Sequence, residues 1–190
     1  MTAFGYARWA ALATALVNTE PGRRHPDLLT APADLAALLR AHDEPEPVDP
    51  DGTDLRDARE ARKAFSEIFD AAPTEAALAT KLNALLARSA RPRLVTHAGV
   101  PLHLHVDAPG SSWGGWLAAS GAMGLALLVA EHGADVLGRC AAPDCRDALV
   151  RTGGGPARRF CSATCASRVR VAAHRAAARA QGRGGNPAAE

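Results

Sequence analysis

Over most of this 190-residue chain the apolar positions recur every three or four residues, which predicts a mainly helical protein. Residues 4–17 place Phe4, Ala7, Trp9, Leu12, Leu16 and Val17 on one largely apolar helix, stopped by Asn18-Thr19-Glu20-Pro21-Gly22. Leu35, Leu38 and Leu39 mark a second helix, over DLAALLRAH, after the start signal Pro32-Ala33-Asp34. The acidic, proline-rich run 43–53 reads as a solvated linker. Thr53 or Asp54 then caps a third helix that turns Leu55, Ala58, Phe65, Ile68 and Phe69 inward. Its Arg56, Arg59, Arg62 and Lys63 alternate with acids and predict a solvated, ion-paired face. Leu78, Leu82, Leu85 and Leu86 form the stripe of a fourth helix, which begins at Pro73-Thr74 and is ended by Pro92.

The period then changes to two. Residues 93–97 and 102–107 alternate around Ala98-Gly99-Val100-Pro101 and predict a hairpin. Its His97, His103 and His105 read as polar-face side chains rather than a metal site, since Asp107 alone lies close enough in sequence to complete a ligand set. Residues 113–130 carry no charge, which reaches the lower limit for crossing a bilayer. Their glycines and alanines, with no flanking basic cluster, favour a buried core helix over 113–132. Further on, ALV (148–150) and ARRF (157–160) suit two short strands around the loop Gly153-Gly154-Gly155-Pro156. Ser162 then caps a last helix that runs to about Gln181 and stops at Gly182.

All four cysteines fall in one short stretch, as the pairs Cys140/Cys145 and Cys161/Cys165. Two thiolate pairs joined by a turn supply the corners of a tetrahedron, the geometry of a structural Zn²⁺ site. Two disulfides are the competing use of the same residues. The first residues do not resemble a secretory signal, and a cytoplasmic chain keeps its thiols reduced. A catalytic zinc needs an open coordination position, which four cysteines fill. The expectation is one closed, structural Zn²⁺. Residues 1–138 contain no phosphate loop, nucleophile elbow or paired-carboxylate signature, so no catalytic residue is assigned and no enzyme activity is expected.

Charge divides the chain unevenly. Residues 1–138 hold 12 Lys/Arg against 17 Asp/Glu, a net −5, whereas 139–183 hold 10 Arg against Asp144 and Asp147, a net +8. A basic module on an acidic one points to a polyanionic partner for the module alone. On a helical wheel Arg168, Arg175, Arg179 and Arg183 form one stripe, Arg170 and His174 lie across from it, and Arg158 and Arg159 precede the helix. Val169, Ala173, Ala176 and Ala180 share a small-residue face expected to pack on the hairpin or on the N-terminal domain. A solvated cationic helix is the plainer reading of the same arginines.

The C-terminal segment resembles the CGNR zinc-finger family. The hairpin end reads Arg158-Arg159-Phe160-Cys161, and the position of the family's signature reads Cys165-Ala166-Ser167-Arg168, keeping the cysteine and the arginine. Val17-Asn18-Thr19 matches the VNT of the ABATE domain that usually precedes such fingers, and PADLAALL resembles its next helix. The resemblance implies a bacterial, stress-linked transcription regulator whose finger binds double-stranded DNA, in the cytoplasm.

The expected fold is α+β and mostly helical: an ABATE-like helical domain with one hairpin over 1–138, a treble-clef-like finger over 139–182, and a tail over 183–190. Cys140, Cys145, Cys161 and Cys165 are the metal ligands, and Arg158, Arg159, Arg168, Arg170, Arg175 and Arg179 the candidate DNA contacts. The N-terminal domain is expected to sense a small-molecule effector or mediate assembly, with no membrane involved. Two alternatives stay open: a zinc-stabilised protein-interaction module, and an enzymatic or ligand-binding N-terminal domain.

Overall fold

The computed structural model describes residues 5–22, 25–97, 100–152 and 158–183, with the backbone alone for 97, 100 and 181–183. The turn residues Ala98 and Gly99, the loop 153–157 and the tail from 184 lie outside the described residues. Among the described residues six α-helices form: α1 (Gly5–Val17), α2 (Pro32–Ala41), α3 (Gly52–Ala71), α4 (Glu75–Ser89), α5 (Trp113–His132) and α6 (Ala163–Arg183). Two antiparallel strand pairs join them, β1 (Arg93–His97) with β2 (Val100–His105), and β3 (Leu137–Arg139) with β4 (Ala148–Val150). The protein is α+β and mostly helical, as the periodicity predicts.

The axis of the bundle is α5, with α1, α3 and α4 packed around it. It is long and apolar enough to cross a membrane, but half of its most apolar stretch is buried inside the protein. Its glycines let the neighbours close in. A Cβ on Gly124 would stand 2.7 Å from the backbone of Tyr6 and Ala10, and one on Gly114 would stand 2.3 Å from Asp57 Cβ. Leu12 and Leu16 of α1, Phe65 and Phe69 of α3, and Leu117 and Leu125 of α5 fill the resulting core.

Polar groups fix the helix starts. Asp51, not Thr53 or Asp54, caps α3, its carboxylate accepting from the backbone N–H of Thr53 and Asp54 at 2.7 and 2.9 Å. Asp54 answers from the third helical position, its Oδ2 accepting the Asp51 N–H at 2.9 Å, while its Oδ1 accepts the backbone N–H of Trp113 at the head of α5 (2.6 Å). The run 43–53 is no free linker: Val48 and Glu44 are buried, Glu44 beside Arg8 at 3.3 Å. Arg62 departs from the expected solvated face. It is buried, pairs through both amino nitrogens with Asp27 (2.6 and 2.9 Å), and donates to Thr19 Oγ1 at 3.0 Å.

The strand pair β3–β4 lies against the bundle rather than beyond it. Ala148 of β4 and Leu137 of β3 belong to the main core. Asn18, at the end of α1, brackets Ala148 by accepting its N–H at 2.6 Å and donating to its carbonyl at 3.2 Å. Arg139 reaches from β3 to α3, donating to Asp70 (2.9 Å) and to both the carbonyl and hydroxyl of Ser66 (2.8 and 2.7 Å).

Two consequences are measurable. Gly124→Ala gains about 1 kcal/mol of helix propensity but overpacks the α1 contact at a cost of about 1–3 kcal/mol. Because the blocking atoms are backbone, urea denaturation should show a net loss of stability. The Arg62 guanidinium, with the Leu29 N–H, holds the Asp27 carboxyl at about 2, below its ordinary 3.8. A depressed folded pKa gives stability that is present above about pH 4 and lost as the pH falls toward 2. Asp27→Asn should therefore cost on the order of 2 kcal/mol at pH 7, with its unfolding curve converging on the parent's near pH 2.

Candidate metal centre

Cys140 follows directly on β3, and its N–H donates to the carbonyl of Asp147 at 2.9 Å, extending the ladder toward β4. The chain turns back through Asp144, in the left-handed region at φ 63°, so that the Cys145 N–H meets the carbonyl of Ala142 at 3.1 Å. That knuckle aims two sulfurs the same way. Across from it, Ser162 Oγ accepts the N–H of Cys165 at 3.2 Å, the cap expected for α6, and so sets Cys165 in the first turn. The N–H of Cys161 points at Cys140 Sγ, 3.3 Å away.

The four sulfurs all lie within 4.8 Å of one another. Cys161–Cys165 is 3.5 Å, Cys145–Cys161 is 3.7 Å and Cys145–Cys165 is 3.8 Å. Thiolates placed 2.3 Å from a central Zn²⁺ stand about 3.8 Å apart along the tetrahedron's edges. The donor set therefore fits one Zn²⁺ with its coordination closed, and the ion's role is structural. All four thiols are free of disulfides. Only a small cluster surrounds them, Cys140, Ala142, Leu149 and Cys165, with Phe160 and Val169 at its edge. Burial pushes the Cys145 thiol up to about 11 and the Cys161 thiol higher still, so zinc must displace protons to bind.

The candidate arginines divide into two groups. Arg158 folds back, donating to the carbonyl of Phe160 at 2.9 Å and to that of Cys161. Arg168 donates to the carbonyl of Pro143 at 3.3 Å and lies 3.8 Å from Cys165 Sγ, so its cation sits against the thiolate cluster and the knuckle. Arg159 is exposed, its guanidinium 5.7 Å from the Phe160 ring centre. Arg170, Arg175 and Arg179 are exposed on α6.

Several expectations change. Residues 158–160 form no strand; the partner of β4 is β3, paired Leu137 with Val150 and Arg139 with Ala148. Residues 158–160 still reach the knuckle, through the Ala141 N–H on the carbonyl of Arg159 at 2.8 Å, and Ala157 lies outside the described residues. The small-residue face of α6 is not packed: Val169 touches the cysteine cluster, but Ala173, Ala176 and Ala180 are exposed. α6 also runs through Gly182 to Arg183. Arg151, missed in the sequence, braces the finger by donating to the carbonyls of Arg158 (3.0 Å), Asp135 (3.1 Å) and Leu137 (3.2 Å). A cavity of about 290 Å³ opens where bundle and knuckle meet, lined by Asn18, Glu20, His25, Arg62, Cys145 and Asp147.

A family model with the description "Putative stress-induced transcription regulator", ABATE, matches residues 10–139, and the CGNR zinc finger matches residues 137–178. No curated protein matches the sequence.

Removing the metal tests the centre. Chelation, or Cys165→Ser, should abolish the one Zn²⁺ per chain and lose the far-ultraviolet helical signal of α6. The near-ultraviolet signal of Trp113 and Trp116, edge to face 5.6 Å apart in the bundle, should persist.

Proposed function

The chain belongs to the ABATE family and ends in a CGNR zinc finger, and on that premise we propose that it is a transcription regulator whose finger binds duplex DNA through α6. One observation carries the reading. From Arg170 to Ala180 the helix is exposed on every side, a rod of about 16 Å. It carries Arg170, Arg175 and Arg179, and no acidic residue stands between Asp147 and Glu190. The major groove admits an α-helix, and a rod whose uncharged positions are mostly alanine approaches a groove wall closely.

Arg170, Arg175 and Arg179, with Arg159 before the helix, are the proposed contacts to phosphate or guanine. Arg158 and Arg168, already bonded within the finger, hold the rod at its angle and belong to the interface through that role. The cavity at the joint gives a small-molecule effector one place to touch both bundle and knuckle. The competing reading, a protein-interaction module, draws on Val171, which is 47% exposed on the same rod.

Four phosphate contacts per chain give log K a slope against log salt of about −3.6, at about −0.9 for each phosphate neutralised. Arg175→Ala and Arg179→Ala should each weaken binding and make that slope shallower by about 0.9. A salt-independent signal on duplex DNA, or recovery of a protein partner with no DNA retained at low salt, overturns the proposal.

A further inference from the structure

We propose that a cleft at the head of α5 binds a small organic cation, a protonated primary amine with a compact apolar body. The cleft has a volume of about 260 Å³ and lies between the acidic run after α2 and the turn that enters α5. Glu44 comes from the first, and Asp107, Ser111, Ser112, Trp113 and Trp116 come from the second. Among the described residues, its lining holds two carboxylates and no basic side chain.

Both carboxylates are short of donors. The Glu44 side chain is only 4% exposed, and its Oε1 accepts no hydrogen bond within the protein. Arg8 stands 3.3 Å from that oxygen as an ion pair, while its Nη1 donates elsewhere, to the carbonyl of Asp43 at 3.0 Å. Burial pushes the Glu44 carboxyl up even with Arg8 beside it. Asp107 is buried too, and its Oδ1 likewise accepts no hydrogen bond. His105 Nδ1 pairs with that oxygen at 3.6 Å, beyond hydrogen-bond reach.

The serines add an independent constraint. Ser111 Oγ donates to the carbonyl of Ala108 at 2.8 Å, and Ser112 Oγ donates to Asp57 at 3.0 Å. Each hydroxyl has used its one proton within the protein, so toward the cleft it can only accept. Carboxylates and hydroxyls together therefore ask for a ligand rich in N–H donors, and the two negative charges ask for a positive one.

The indoles decide which kind of cation. Trp113 and Trp116 meet edge to face, their ring centres 5.6 Å apart at 83°, and both are half-buried. Indole faces attract an organic ammonium and cover its apolar body, whereas a hard metal ion seeks oxygen ligands alone. The site does not depend on DNA binding.

The test titrates the full zinc-loaded chain, without DNA, with phenethylamine at neutral pH, read by tryptophan fluorescence and calorimetry. Saturable binding of one amine per chain is expected, with a fluorescence change that survives Trp9→Phe. Glu44→Gln and Asp107→Asn should each weaken it by about 10- to 100-fold, with zinc content unchanged. Phenylethanol, of the same size but uncharged, should bind the parent protein at least about 10-fold more weakly, which decides the matter if a variant misfolds. No saturable uptake of the amine, equal binding of the alcohol, or a preference for Mg²⁺ or Ca²⁺ at these carboxylates overturns the proposal.

Discussion

A helix of eleven residues with water on every side does not hold itself together, because the cost of nucleating the first turn exceeds what so few residues return. The outer half of α6 is in that position, and its order has to be imported from its base. The base is the tetrahedron of Cys140, Cys145, Cys161 and Cys165, with Ser162 capping the first turn. The four sulfurs set the turn that nucleates the helix, and alanine at six of the eleven exposed positions lets it propagate outward. The apolar cluster around the cysteines is too small to do this alone. Metal binding and the projection of α6 are therefore one thermodynamic event.

That event is anchored to the bundle by polar side chains with few alternatives. Asn18 supplies the hydrogen bonds that another strand would have given Ala148, Arg139 fastens β3 to α3, and Arg151 ties the segment before Cys161 to the start of β3. After residue 138, Arg139, Arg146, Arg151, Arg158 and Arg168 bond within the protein. The positive charge of the segment thus has two uses, and counting it whole overstates what faces outward.

What could be read from the sequence was whatever is repeated locally. Helical spacing in α1 to α5, alternation in the hairpin and the spacing of the cysteines each depend on neighbours a few residues away, and all appear near their expected places. The failures have two causes. Asp51 rather than Thr53 caps α3 and β4 pairs with β3 because neighbouring residues offered competing choices, whereas Arg62 turns inward because of partners tens of residues distant. Arg62 falls on the helical stripe of Leu55, Ala58, Phe65 and Phe69 and Arg56 does not, but only Asp27 and Thr19 supply the partners that let a guanidinium stay there.

The joint also limits how a movement of the bundle reaches the finger. β3 leaves α5 after a single short turn, and its residues count both in the main core and in the lead to Cys140. No flexible linker separates the two parts there, so a domain swinging freely on a tether is not available. A shift of α1 moves Asn18 and with it β4, while a shift of α3 moves Ser66 and Asp70 and with them Arg139. Both routes end at the knuckle that aims α6, and a displacement of a few degrees there is multiplied along a rod about 16 Å long. Built this way, the joint is a rigid lever on a metal pivot, and any rearrangement of the bundle would change where the outer arginines lie.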